Sequence, residues 1–275
     1  MMKHSFSLLG HRVTIETDDP ALKERLEDIM VPSLDAQPIS KKILLQLRSS
    51  NGLIQIVRSG SVIAQAVQPD MVIRDLHMFI NHLVLEEQTD SLKLHAGAAT
   101  CEGRYFLITG DRYSGKTTLL LKMMLNGTDI HCDETVLLEE GLVRTFPRKF
   151  HIRAGTLPLL PRVAEVCKTM RSYPDYSSGC FYFADPTDFG LAWHTEKSLP
   201  QAILYLHSSF NGTPRLESCT KVDMAKHLLC QTINLTGDLG SNVKKICHLL
   251  EDCRCFSLQV GMLDQTAELV KEALA

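Results

Sequence analysis

Apolar positions along this chain switch between a two-residue and a roughly 3.6-residue repeat, a pattern that predicts a mixed α/β protein. Over the first ninety residues, Ser5-Phe-Ser-Leu-Leu9 and Val13-Thr-Ile-Glu-Thr17 alternate like strands around Gly10. Residues 20–30 carry helical spacing, with Asp18 or Asp19 as the expected cap. Ile43-Leu-Leu-Gln-Leu47 and Leu53-Ile-Gln-Ile-Val57 read as strands joined across Asn51-Gly52, a strong hairpin turn signal, and residues 61–67 continue the meander. Residues 70–87 predict a long amphipathic helix with Val72, Leu76, Ile80, Leu83 and Val84 on one face.

Further on, Leu92-Lys-Leu-His-Ala96 and Tyr105-Phe-Leu-Ile-Thr109 read as neighbouring strands, and residues 118–125 as a helix closed by Asn126-Gly127. Residues 128–138 predict an extended strand or a strand pair. Residues 148–199 are marked by proline and glycine and show little periodicity, which suggests a substrate loop or lid. A strand at 202–206 turning at Asn211-Gly212, helices near 224–233 and 243–251, a strand at 255–260 and a last helix after Asp264 complete the pattern. Two domains are expected: a small α/β unit over residues 1–90, and a second domain over 91–275.

Composition narrows the function classes. Hydrophobic residues make up 44% and charged residues 22%, ordinary for a globular chain with a real core. A net charge of -3, with no basic block, argues against nucleic acid or an anionic membrane as partner. The first residues lack the apolar core of a signal peptide, so the cytoplasm is the expected compartment. The nine cysteines are scattered, and the one tight pair, Cys253-Arg-Cys255, has no matching ligand pair elsewhere. Reduced thiols packed as small hydrophobes are expected rather than zinc.

The candidate chemistry sits between the strand at 105–109 and the helix at 118–125. Gly110-Asp-Arg-Tyr-Ser-Gly115-Lys116-Thr117 matches G-x-x-x-x-G-K-[ST], in the strand–loop–helix context that a P-loop requires. Backbone amides of such a loop cradle phosphate, and the helix N-terminus adds partial positive charge. The expected nucleotide-binding residues are Gly110, Asp111, Arg112, Tyr113, Ser114, Gly115, Lys116, Thr117 and Thr118. Lys116 would reach the β- and γ-phosphates of ATP, and the Thr117 hydroxyl would ligate Mg²⁺. Asp133-Glu134 follows the loop helix, where a carboxylate can hold Mg²⁺ or accept the proton of an attacking hydroxyl. His95 precedes the loop, and Arg148-Lys-Phe-His-Ile-Arg153 is a basic segment beyond it.

Leu94-His-Ala-Gly97, then Leu107-Ile-Thr-Gly-Asp-Arg-Tyr-Ser-Gly-Lys-Thr117, then His131-Cys-Asp-Glu134 resembles the catalytic domain of HPr kinase/phosphorylase. It is more similar still to the HPr-kinase-like serine kinases of bacterial peptide-modifying clusters, including those that tailor lasso peptides. The resemblance is firmest over residues 95–153. It implies an α/β fold with a P-loop kinase core of the HPr kinase/phosphoenolpyruvate carboxykinase type, preceded by the small N-terminal unit. It also implies an ATP- and Mg²⁺-dependent phosphotransferase acting on a serine of a peptide or small protein. On the matching positions, Asp133 is the implied proton acceptor, Glu134 the second acid, His95 the histidine beside the transferred group, and Arg153 a cation for developing charge. Thr117, Asp133 and Glu134 would hold Mg²⁺. The segment His151-Ile-Arg-Ala-Gly155 lacks the acid that the family places there. Because the relatives assemble, a homo-oligomer is an expectation as well. Two other readings use the same residues: a metabolite kinase, and a nucleotide-gated peptide-binding protein with weak ATP hydrolysis. Exposed-looking aromatics (Tyr173, Tyr176, Tyr182) and the cations Arg148, Lys149, Arg153, Arg162, Lys168 and Arg171 suggest that residues 148–193 capture the acceptor.

Overall fold

A computed structural model describes residues 1–32, 38–177, 179–194, 196–208, 212–233 and 238–275. In chain order the first segment holds β1 (Met2–Leu8), β2 (His11–Thr17), α1 (Pro20–Leu26), β3 (Lys41–Ser50), β4 (Leu53–Arg58), β5 (Ser61–Ala66) and α2 (Pro69–Glu86). Next come β6 (Leu92–Cys101), β7 (Arg104–Gly110), α3 (Lys116–Leu125), β8 (Asp129–Cys132), β9 (Thr135–Glu139) and β10 (Leu142–Thr145). Then follow β11 (Phe150–Arg153), α4 (Pro161–Cys167), β12 (Ser172–Pro174) and β13 (Cys180–Ala184). The chain ends with β14 (Ala202–His207), β15 (Arg215–Ser218), α5 (Lys221–Cys230), α6 (Leu239–Leu250), β16 (Arg254–Gln259) and α7 (Leu263–Leu274). The fold is mixed α/β with several sheets. The turn expected at Asn211-Gly212 lies partly outside the described residues.

The chain divides into two compact units: Met1–Gln88 with Pro147–Phe189, and Thr89–Phe146 with Gly190–Ala275. This differs from a cut near residue 90 into two continuous pieces. The physical reason lies in the polar ties of residues 147–189 to the N-terminal segment. Arg171 pairs with Asp28 at 3.0 Å and with Glu24 at 3.2 Å, and the Tyr173 hydroxyl donates to the same Asp28. Arg74 of α2 donates to the Pro174 carbonyl at 3.2 Å.

In the first unit the described residues form a five-stranded sheet in the order β1-β2-β3-β4-β5, and a three-stranded sheet in the order β11-β13-β12. β2 and β3 are parallel, and the crossover between them carries α1, as a parallel pair requires. Asp19 caps α1 through a 2.9 Å bond from the Ala21 amide. Val13, Ile15, Leu45 and Ile56 of the larger sheet are buried, as are Leu22 and Leu26 of α1 and the anticipated stripe of α2. Residues 148–199, expected to be irregular, instead contribute strands of three to five residues and a short helix. Such brief elements leave too few repeats for a period to show. Tyr173, expected to be exposed, is fully buried.

The second unit is built on an eight-stranded sheet, counted over the described residues. Its order is β10-β9-β6-β7-β14-β16-β15, with β8 also paired to β6. β7, β14 and β16 run parallel, with β6 antiparallel beside β7. Leu92, Leu94, Leu107 and Ile203 form a core on one sheet face with Met224 and Leu228 of α5 and Ile246, Leu249 and Leu250 of α6. α3 packs on β6 and β7 over the other face, with α7 beside it. Among the described residues no helix is long and apolar enough to cross a membrane.

Candidate functional site

The candidate site is assembled where β7 ends. Gly110 closes the strand with φ +146°, and a Cβ there would lie 2.6 Å from the Leu206 carbonyl of β14, so a side chain is excluded on two grounds. The loop passes through Tyr113, an exposed aromatic at φ +66°, and Gly115 at φ +93° before α3 begins at Lys116. A bulky residue in the left-handed region is a local strain of the kind found at ligand loops. The Leu119 amide makes the first turn's bond to the Gly115 carbonyl at 2.9 Å. The start of α3 is the end where the helix dipole favours an anion.

Lys116 is buried, and its ammonium folds back over the loop. Nζ donates to the Gly110 carbonyl at 2.7 Å and to the Asp111 carbonyl at 2.9 Å. Ser114 is buried as well, and its amide also donates to the Asp111 carbonyl, at 3.2 Å. Asp111, Arg112 and Tyr113 are exposed at the loop tip.

β6 is the spine of the site. On one edge it pairs with β7, Ala96 opposite Thr109 and Gly97 opposite Ile108. On its other edge it pairs with β8 (Ala98 opposite Cys132) and with β9 (His95 opposite Thr135). Asp133 and Glu134 occupy the turn between β8 and β9, so the acidic pair and the glycine loop flank the same stretch of β6. Gly97 makes this approach possible. A Cβ on it would stand 2.4 Å from Leu120 Cδ1, 3.1 Å from the Cys132 carbonyl and 3.4 Å from the Asp133 Cα.

The result is a direct link between loop helix and acidic turn. Thr117 Oγ1 donates to Asp133 Oδ2 at 3.0 Å, with Asp133 only 3% exposed. Glu134 is half-buried beside it. Burial, and then the neighbouring Asp133 carboxylate, push the Cys132 thiol up to about 12, so it stays protonated and inert. A hydroxyl and a carboxylate at this separation are the hard oxygen donors that Mg²⁺ takes. Among the described residues no group of three or more His, Cys, Asp or Glu side chains is arranged to hold a metal. The donors present therefore fit a cation shared with substrate phosphates, the usual Mg²⁺ arrangement.

His95 is half-buried on β6, its amide bonded to the Gln231 carbonyl at 2.8 Å and its carbonyl to the Thr109 hydroxyl at 3.1 Å. Thus His95, Gly110 to Thr118, Asp133 and Glu134 all belong to the second unit and converge on one part of its sheet. Arg153 belongs to the first unit, where its Nε donates to Asp175 at 2.9 Å. Of the other cations expected to wait for an acceptor, Lys149 pairs with Asp185, Lys168 with Glu165 and Arg171 with Asp28, while Arg162 is exposed on α4.

The sequence reading missed two residues of this site. Tyr205 of β14 donates to Asp111 Oδ1 at 3.2 Å, and Gln231, just after α5, donates to the same oxygen at 3.1 Å. Tyr205 stacks on His227 with ring centroids 3.7 Å apart, and its phenol is pushed up to about 12 by burial and then by Asp111. No local signal marks either residue, since each lies over ninety positions from the loop in sequence.

No protein-family model matches the chain, and no curated protein matches it. Among solved structures, the Hpr(Ser) kinase/phosphatase from Coxiella burnetii is similar at 14% identity, over 66% of this chain and 91% of that one, with a TM-score of 0.30. A TM-score of that size carries no inference about fold or chemistry, so the functional reading stands on the residues of the chain itself.

Proposed function

We propose that the chain is an ATP-dependent kinase that transfers the γ-phosphoryl group to a hydroxyl, the acceptor being a serine of a small peptide or protein. The observation that carries this reading is the bond from Thr117 to Asp133, which sets a buried carboxylate beside the first turn of the helix that follows the glycine loop. A carboxylate in this place can hold Mg²⁺ with the loop threonine, as in nucleotide-binding loops generally, and buried at the phosphate end it can also accept the proton of an attacking hydroxyl, the role that phosphoryl transfer to a hydroxyl requires.

In this mechanism the loop amides and the start of α3 cradle the phosphates. Lys116 turns from the Gly110 and Asp111 carbonyls to the β/γ-phosphates and compensates their charge. Thr117 and Asp133, with Glu134 adjacent, would hold Mg²⁺, which when bound neutralises phosphate charge. Asp133 accepts the proton of the attacking hydroxyl as its oxygen bonds to phosphorus, and His95, on the strand between loop and acid, is the histidine that the resemblance sets beside the transferred group. ADP leaves with the electron pair of the broken P–O bond. The peptide acceptor is supported by the resemblance of the His95, loop and Asp133-Glu134 motifs to peptide serine kinases.

The test is incubation with γ-labelled ATP, Mg²⁺ and short peptides ending in serine. Label on the peptide serine is the expected result. Label released only to water favours a nucleotide-gated binding protein, and label on small alcohols alone favours a metabolite kinase. Either of those outcomes overturns the peptide acceptor.

A further inference from the structure

We infer that Gln231, together with Tyr205, is a positioning residue for the glycine loop: the two side chains peg the Asp111 carboxylate and thereby set where the Lys116 ammonium rests. The inference deepens the kinase reading and rests on it only for the nucleotide measurement.

Gln231 is fixed by its backbone. β7 flanks β6 from Ala96 onward, and the glycine loop leaves the sheet at Gly110. Alongside the earlier residues of β6, the place of β7 is taken by residues 231–233. The His95 amide donates to the Gln231 carbonyl at 2.8 Å, Leu94 bridges Thr232, and the Ile233 amide donates to the Lys93 carbonyl at 2.9 Å. The Gln231 amide in turn closes the end of α5 on the Leu228 carbonyl at 3.0 Å. Its backbone is thus held on both sides, and its side chain is buried to within 9%. One residue therefore touches the histidine strand through its carbonyl and the glycine loop through its side chain.

Asp111 is exposed at the loop tip, yet its Oδ1 accepts from both Gln231 Nε2, at 3.1 Å, and the Tyr205 hydroxyl, at 3.2 Å. A carboxylate only accepts, so the Gln231 amide must present its nitrogen there. Tyr205 is itself braced by the stacked His227 ring. The carbonyl of the pegged residue is one of the two that hold the Lys116 ammonium. Hydrogen bonds to a charged group are the stronger kind, and here they act on an exposed loop residue. A loop that must present several amides to phosphate loses affinity when it has to be ordered first.

The test is a charge conflict and its relief. Gln231→Glu sets carboxylate against carboxylate, and adding Asp111→Asn restores a donor and an acceptor. ATP affinity is measured by calorimetry, and the loop amides are followed by hydrogen exchange in the peptide that contains residues 110–116. The Kd for ATP is expected to rise about tenfold in Gln231→Glu, the scale of one hydrogen bond to a charged group, and to recover in the double variant. Loop exchange should quicken and slow in step. Unchanged affinity and exchange in Gln231→Glu would overturn the inference, and so would a double variant as impaired as the single one. If Gln231→Glu does not fold, Tyr205→Phe removes one donor without adding charge and must move both readouts in the same direction. If the unmodified protein binds no ATP, the nucleotide reading fails, and the peg is judged by exchange alone.

Discussion

Gly97→Ala is the substitution whose consequences the structure specifies most closely. The added Cβ would meet Leu120 Cδ1 at 2.4 Å, the Cys132 carbonyl at 3.1 Å and the Asp133 Cα at 3.4 Å. Leu120 is fully buried and cannot swing into solvent, and the Cys132 carbonyl is backbone. Relief must come from α3 moving off β6 or from the acidic turn moving outward. Overpacking of this kind costs about 1–3 kcal/mol. Either movement also opens the 3.0 Å contact between Thr117 and Asp133, because the first belongs to α3 and the second to the turn. A misplacement of about 1 Å at a reacting centre can cost roughly 10²-fold in rate, so activity should fall further than stability alone explains. Urea unfolding gives the first quantity, and γ-phosphoryl transfer at a temperature where the variant is folded gives the second. Leu120→Ala in the same chain removes the nearest obstacle, so the pair should be less destabilising than the sum of the two singles. A Gly97→Ala protein within about 0.5 kcal/mol of the parent and fully active would refute the claim that this glycine exists to admit the helix and the acid.

Four other outcomes are expected. Lys116→Ala should lose phosphoryl transfer by several orders of magnitude in the labelled-ATP assay, because the cation at the β/γ-phosphates is gone; near-normal turnover would make the loop decorative. Asp133→Asn keeps the side-chain size but removes the base, so turnover should fall roughly 10²–10⁴-fold while ATP affinity changes little; a collapse in affinity would make Asp133 chiefly a metal ligand. Burial, and then His194, hold His131 at about 4, against 6.5 when unfolded, so the unfolded chain binds more protons between those values. Stability should therefore fall as pH drops from 6.5 towards 4, by up to ~3 kcal/mol from this residue, and unfolding at several pH values should show His131→Gln flattening that slope. His77 and His151, buried beside Arg148, act in the same direction. Arg162→Glu should weaken phosphorylation of an acidic peptide more than peptide-independent ATP hydrolysis, since Arg162 is exposed while Arg153 and Arg171 are held by Asp175 and Asp28; equal losses would point to folding instead.

What could be read from the sequence follows from the range of the forces involved. The turn at Asn51-Gly52, the Asp19 cap, the stripe of α2 and the strand–loop–helix around Lys116 depend on neighbours a few residues away, and each appeared in the predicted place. The approach of Asp133 to Thr117 was legible only as an expectation from motif order, because it depends on β8 and β9 pairing with β6. The role of Gly97 was hidden, since nothing in Leu94-His-Ala-Gly97 says that a leucine 23 positions later will pack on it. Residues 147–189 were misplaced for the same reason. Their attachment to the N-terminal segment is written in Tyr173, Arg171 and Asp28, which meet across more than 140 positions.

The side chains of Lys116, Thr117 and Asp111 are already held by protein groups, and this bears on how the loop would bind a nucleotide. Lys116 rests on two carbonyls, Thr117 on Asp133, and Asp111 on Gln231 and Tyr205. At Lys116 and Thr117 a bound nucleotide would therefore displace existing hydrogen bonds. The gain from exchanging an ammonium–carbonyl contact for an ammonium–phosphate contact is the difference between the two, not the full strength of the new one. Of the three contacts, the first two must be surrendered to the ligand in the proposed mechanism, whereas the third need not be. The peg on Asp111 is then the one constraint that persists from the resting to the loaded loop. A defect there should weaken binding and leave the chemical step to Asp133, whereas a defect at Asp133 should do the reverse. Those opposite signatures, KM against kcat, are the sharpest available separation of the loop's two jobs.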